Sequence, residues 1–181
     1  YVNAVGILEN RLPTGGILSA PAYPGGPKML YALDGQAFIW ALDGSGDPTP
    51  IRVSDCSDPR LARALESVEK SHVGHGRLAR VRELMGMDDA LIERADSQEK
   101  YARVAAGAAE LYLRLPRRDN VYAHSIWDHA AGTAIVEAAG GKVTGIEGEP
   151  LDYTEGKKLK NYGVVATNGH IHDIAIKAVQ T

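Results

Sequence analysis

At 181 residues, 44% hydrophobic and with a formal net charge of −3, the chain can bury a sizeable core as one domain, and its charge balance argues against a nucleic-acid binder. The single Cys56 excludes an internal disulfide and fits a reducing compartment, while no apolar run approaches the length needed to cross a bilayer. A soluble, cytoplasmic protein is expected, and an opening at Tyr1 inside what already reads as a strand suggests a fragment or a processed product.

Tyr1 to Leu8 is β-branched and apolar, Glu9-Asn10-Arg11 turns it, and Gly15 to Pro21 reads as a returning strand stopped by proline. Lys28 to Leu33 and Gln36 to Leu42 flank Asp34-Gly35, the strongest short hairpin signal in the chain, so the first third is predicted to be an antiparallel meander. Asp43-Gly44-Ser45-Gly46-Asp47-Pro48 alternates oxygens as a calcium loop does. It fails that pattern, because Pro48 stands where the sharp turn needs Gly and Ser54 where the loop needs its bidentate Glu, and Asp43 to Pro50 is taken as a solvated linker.

From Ile51 the pattern alternates strands and helices. Ala64 to Ser71 alternates as a half-buried strand, Gly76 to Met85 reads as a helix, Ala90 to Ala95 as a strand and Ser97 to Ala109 as an Ala-rich helix. Arg77, Arg80 and Arg82 beside Glu83 mark a solvated helix face. Glu110 to Leu115 is a strand, Pro116 to Ser125 a polar loop and Lys142 to Gly145 a strand, while Asn161 to Thr167 and His170 to Val179 close with strand and helix. The order implies an α/β layered core with helices packed on a sheet, following antiparallel hairpins at the N-terminus.

Between the polar loop and the strand at Lys142 lies Ile126-Trp127-Asp128-His129-Ala130-Ala131-Gly132, a helix start whose first turn carries a carboxylate. Asp128 is expected to cap that helix, for ~1 kcal/mol, and the small residues after it would let another backbone, a metal or a phosphate approach closely. His129 cannot share a site with Asp128, since consecutive helical residues diverge by about 100°, and it is assigned to packing or surface. Asp96 or Ser97 is expected to cap the next helix upstream, which puts Lys100 in its first turn, either extended into water or facing a bound anion. Arg114 lies in an otherwise apolar strand, where a planar cation is a buried ion pair or a phosphate fork. His72 and His75 lack a third zinc ligand at fixed spacing, and no nucleophile motif, Walker loop or dinucleotide fingerprint is present. Any hydrolysis would therefore use a metal-activated water.

Trp127 to Gly132 followed by Glu137-Ala138-Ala139-Gly140-Gly141 resembles the second signature of the lithium-sensitive, magnesium-dependent phosphomonoesterases typified by inositol monophosphatase. Val68 to His72, Asp96 to Tyr101 and Leu111 to Pro116 narrow the resemblance to the 3'(2'),5'-bisphosphate nucleotidases, and Pro150 to Tyr153 and Gly163 to Thr167 continue it. The resemblance implies a layered αβαβα sugar-phosphatase fold, with residues 1–50 as the end of a metal-binding half and 51–181 as the substrate-binding domain. It implies Mg²⁺ as cofactor with Asp128 as a ligand, a small nucleotide as substrate held by His72, Ser97, Lys100, Arg114 and Asp128, and removal of the 3'-phosphate of 3'-phosphoadenosine 5'-phosphate. The family's other metal ligands, a Glu pair and an Asp-Pro-Ile-Asp-Gly-Thr-like segment, have no match here. The chain alone is thus expected to be inactive, its missing half lying in the same or a separate chain, with an inositol phosphatase and a non-catalytic anion-binding module as the alternative readings.

Overall fold

The structure is a computed structural model and describes residues 1–68, 75–116 and 123–181, His75 by its backbone alone. Strands β1 (Asn3–Glu9), β2 (Leu12–Ala20), β3 (Lys28–Leu33), β4 (Gln36–Ala41) and β5 (Thr49–Pro50) form one antiparallel sheet in sequence order. Two turns of the same kind close its first and third hairpins. Asn10 and Arg11 lie at φ 50° and 66°, Asp34 and Gly35 at 49° and 73°, the left-handed pairs whose twist matches that of flanking strands. The meander runs one strand further than the sequence suggests, because Thr49 and Pro50 pair with Ile39 and Phe38 instead of belonging to a linker.

The second sheet, of β6 (Ala64–Ser67), β7 (Ile92–Ala95), β8 (Leu111–Arg114), β9 (Lys142–Thr144) and β10 (Val164–Thr167), has the order β7-β6-β8-β10-β9. Strand β6 runs parallel to β7 and β8, whereas β10 is antiparallel to β8 and β9. Helices α2 (Glu99–Ala105) and α3 (Ala130–Ala138) lie between the two sheets, and α1 (His75–Met85) and α4 (His172–Gln180) cover the far face of the second. Strand periodicity sorts the side chains accordingly: Leu111, Leu113 and Val165 join Leu78, Val81 and Ala175, while Tyr112, Val164 and Ala166 join the central core with Tyr101 and Ile135. The architecture is layered α/β, with sheet, helices, sheet and helices among the described residues. None of those helices is long and apolar enough to cross a membrane.

Helix α2 stops four residues short of the Ala-rich run. Gly107 takes φ 68° and its N–H, at 3.1 Å from the Val104 carbonyl, closes the last turn, so a left-handed glycine overrides alanine's propensity. Strand β7 begins two residues late, because Asp88 accepts from the Ala90 N–H at 2.9 Å and winds Asp89–Leu91 into a 3-10 turn.

The inner face of the first sheet carries the in-register row Gly6, Gly16, Ala32 and Ala37, and α3 lies directly on it. A Cβ on Gly6 would stand 2.7 Å from the Ala130 Cβ, one on Gly16 2.7 Å from the Ala131 carbonyl oxygen, and one on Gly132 2.3 Å from the Tyr101 ring. The slim first turn thus receives another backbone, one of the three possible neighbours considered from sequence. Gly16→Ala is expected to destabilise the protein by ~1–3 kcal/mol, since the atom it strikes is backbone, whereas Gly76→Ala, with nothing within 4 Å, is not. Urea denaturation of the two variants checks this.

His172 is buried between Thr144 and Thr167, with Nε2 3.0 Å and Nδ1 2.9 Å from their hydroxyl oxygens. Burial lowers its pKa to about 4, with Lys142 adding to the effect. Because the unfolded chain takes up this proton near the ordinary pKa of about 6.5, stability is complete above that value and is lost as pH falls from about 6.5 towards 4. His172→Gln should flatten the decline between pH 7 and 5 in equilibrium denaturation.

Candidate functional site

A cavity of about 580 Å³ opens where α2, β8 and the turn before α3 converge. Strand β8 supplies Tyr112 and Arg114, which share a face by the two-residue period, while Leu111 and Leu113 point to the opposite layer. Asp96, Ser97, Gln98 and Lys100 come from the turn and first residues of α2, Trp127 and Asp128 from a 3-10 turn over Ile126–Asp128, and Tyr1 to Ala4 from the start of the first sheet. Ser97, Lys100, Arg114 and Asp128 therefore line one cavity, although up to 31 positions of sequence separate them. His72 lies outside the described residues, as does the His72–His75 pair considered for zinc.

Lys100 is 3% exposed, which rules out a side chain extended into water. Its Nζ donates to the Ala95 carbonyl at 3.1 Å and sits 5.2 Å from the centre of the Tyr112 ring, so a carbonyl dipole and a π face both stabilise the cation at the cavity wall. Neither Asp96 nor Ser97 caps α2. Asp96 instead accepts from the Ser97 N–H at 2.7 Å, Ser97 takes φ 51°, and the cap position falls on Gln98, whose side chain does not cap its own helix. This strained turn leaves Ser97 exposed at the rim of the cavity.

Asp128 does not cap α3 either, because it belongs to the 3-10 turn, and His129 (φ −133°) stands between it and the helix. Its half-buried carboxylate has no hydrogen-bond partner among the described residues. His129 turns the other way and is fully buried, with its Nδ1 2.6 Å from the Tyr101 hydroxyl, so its role is packing. Burial first, then the cationic influence of His124, Arg114 and Lys100, holds its pKa well below the usual histidine range, which keeps the ring neutral beneath a positively charged wall.

Two contributors are missing from the sequence reading. Tyr112 was detectable, since alternation in Leu111 to Arg114 puts it on the face of Arg114. Gln98 was not: its amide donates through Nε2 to the Trp127 carbonyl at 2.9 Å and accepts through Oε1 from the Gly132 N–H at 3.0 Å, two partners about thirty residues away. Among the described residues no group of three or more His, Cys, Asp or Glu side chains could hold a metal ion by itself. Asp128 fits the part of one oxygen ligand in a shared set.

Residues 4–181 match the model of the inositol monophosphatase family. The chain is 38% identical over 181 residues to the 3'(2'),5'-bisphosphate nucleotidase 1 of Candida albicans, a match covering 98% of this chain and 48% of that protein. It is 36% identical to the 3'(2'),5'-bisphosphate nucleotidase of Dictyostelium discoideum, over 99% of this chain and 56% of that one. The chain thus spans about half the length of the curated relatives it matches. Among solved structures it resembles Mycobacterium tuberculosis SuhB (TM-score 0.72, 21% identity, 99% of this chain and 63% of that one) and the Thermotoga maritima IMPase (TM-score 0.70, 24% identity, 98% and 59%), a likeness of fold.

Proposed function

The chain belongs to the inositol monophosphatase family, and on that premise we propose that it is part of a phosphomonoesterase that removes the 3'-phosphate of 3'-phosphoadenosine 5'-phosphate, leaving adenosine 5'-phosphate. The observation that carries this reading is the convergence of Lys100, Arg114 and Ser97 with the Asp128 carboxylate on one cavity. Two cations and a hydroxyl suit the 5'-phosphate, and a carboxylate without a partner among the described residues suits a hard cation at the 3'-phosphate. Such a second anion site favours a bisphosphate over an inositol monophosphate. The relatives named 3'(2'),5'-bisphosphate nucleotidase support the same choice.

In this reading Asp128 contributes one oxygen to Mg²⁺, Lys100 and Arg114 bind and orient the nucleotide and Ser97 donates at the rim, while the resemblance alone assigns His72 to the nucleotide as well. Bound magnesium supplies polarisation of the ester phosphate and a more acidic attacking water. Residues 1–50 form the end of the metal-binding half and 51–181 the substrate-binding part, the remaining ligands coming from an upstream half in the same or a separate chain. Its relatives' greater length supports that division, and the lone Cys56 supports a reducing, cytoplasmic setting.

The 181-residue chain alone is expected to show no magnesium-dependent turnover, whereas the full-length enzyme does; in the latter, Asp128→Asn should lower kcat by orders of magnitude with an unchanged melting temperature, because Asp128 caps nothing. Chelator-sensitive turnover by the chain alone, or a normal rate in the variant, contradicts the reading.

Lys100 tests the substrate. Since its side chain is buried, Lys100→Glu would add the cost of burying a carboxylate beside the Ala95 carbonyl, and Lys100→Met, of similar volume, is the cleaner change. Loss of a charge-assisted hydrogen bond worth about 2 kcal/mol should reduce kcat/KM for adenosine 3',5'-bisphosphate ~30-fold. Adenosine 3'-phosphate, lacking the 5'-phosphate, should lose far less; equal losses on both remove Lys100 from the 5'-phosphate site.

A further inference from the structure

A helix leaves its first N–H groups without intrahelical partners, and the usual remedy is a side-chain oxygen of the capping residue accepting from the second or third of them. Helix α3 lacks that remedy: His129, at the cap position, makes no side-chain capping bond, and Asp128 makes none either. The third N–H, that of Gly132, is instead taken by Gln98 Oε1, which reaches across from the start of α2. The same amide's Nε2 donates to the Trp127 carbonyl, the residue immediately before Asp128. Gln98 is 7% exposed and uses both ends of its amide, so its orientation is fixed, since a flip would set NH₂ against an N–H and oxygen against oxygen.

We propose that Gln98 is a positioning residue that caps α3 from outside and thereby keeps the Asp128 carboxylate available to a divalent cation. This rests on the reading of Asp128 as a metal ligand. Asp is among the best capping residues, and Asp128 lies one residue from the cap position of a helix start with open N–H groups. Without an acceptor at Gly132, the Asp128 carboxylate, one residue before the cap position, is placed to fold back onto the open helix start, and a carboxylate so engaged is lost to the metal. The clasp on Trp127 meanwhile fixes the backbone on which Asp128 is carried. Because Gln98 follows Ser97 and precedes Lys100 by two residues, the same clasp ties the anion-binding turn to the metal-binding one.

The test measures magnesium binding directly, by calorimetric titration of the metal-free full-length enzyme carrying Gln98→Met, which keeps the volume and removes both bonds. Gln98→Asn, one methylene too short to reach, serves should the apolar variant fold poorly. Either variant is expected to bind Mg²⁺ ~10-fold or more weakly, the range seen when a group that orients a metal ligand is lost. Adding Asp128→Asn to the Gln98 variant should cost less than it does in the wild type, because the two act on one carboxylate. Titrated well below its melting temperature, where the variant is almost wholly folded, the apparent dissociation constant equals the intrinsic one, so a role in stability alone would lower the melting temperature and leave the constant unchanged. Wild-type Mg²⁺ affinity in the folded Gln98 variants, together with a loss in Asp128→Asn, overturns this inference and leaves the proposed function standing. Unchanged affinity in Asp128→Asn itself overturns the metal-ligand reading and this inference with it.

Discussion

The close approach of α3 to the first sheet is the constraint on which the rest of the molecule depends. The Ala130-Ala131-Gly132 turn meets the Gly6 and Gly16 backbones on one side and the Tyr101 ring on the other, at separations that leave no room for a β-carbon at any of the three glycines. Dispersion falls away within an ångström of the contact distance, so such an approach either is made closely or forfeits much of its attraction. Once it is made, α3 has one place to sit between the sheets. The 3-10 turn at its entrance, carrying Trp127 and Asp128, is then held in the wall of the cavity.

Around that fixed turn two cationic side chains gather on one cavity wall. A buried ammonium is costly unless partnered, and Lys100 is kept in place by the Ala95 carbonyl and the Tyr112 face while still lining the cavity. Arg114, at the end of a strand whose preceding residues are buried apolar, adds a second positive charge. His129, which burial and these neighbours keep neutral, fills the space behind them without adding a third. Side chains that would be a liability in a plain core are thus gathered where a phosphate would offset their desolvation.

The outer face of the first sheet presents a different picture. Val5, Ile17, Tyr31 and Phe38 stand in register across four strands, with Val5 and Ile17 exposed and the Tyr31 and Phe38 rings stacked at 5.2 Å between centroids. A layered αβαβα arrangement needs one more layer than the described residues form, and this apolar face is where the existing layers end.

Local chemistry was enough for much of this. The Asp34-Gly35 hairpin, the alternation that sorts Tyr112 and Arg114 from Leu111 and Leu113, the antiparallel meander and the later strand-helix succession all follow from backbone preferences and periodicities confined to a few neighbouring residues. The divergence of His129 from Asp128 has another cause than the helical spacing expected, since Asp128 ends a 3-10 turn and His129 is a non-helical cap at φ −133°; the motif resemblance groups Ser97, Lys100, Arg114 and Asp128 with His72, which lies outside the described residues. What the sequence by itself could not determine was which group satisfies which. Asp128, Asp96 and Ser97 are all good capping residues, yet α3 is capped by Gln98 and α2 by no side chain, because a helix terminus accepts any oxygen that packing brings within about 3 Å. Lys100 could have extended into water until the depth of the cavity wall decided otherwise. Hydrogen bonds between residues some thirty positions apart, and the burial of a charge, are properties of how layers pack, and only the tertiary structure decides them.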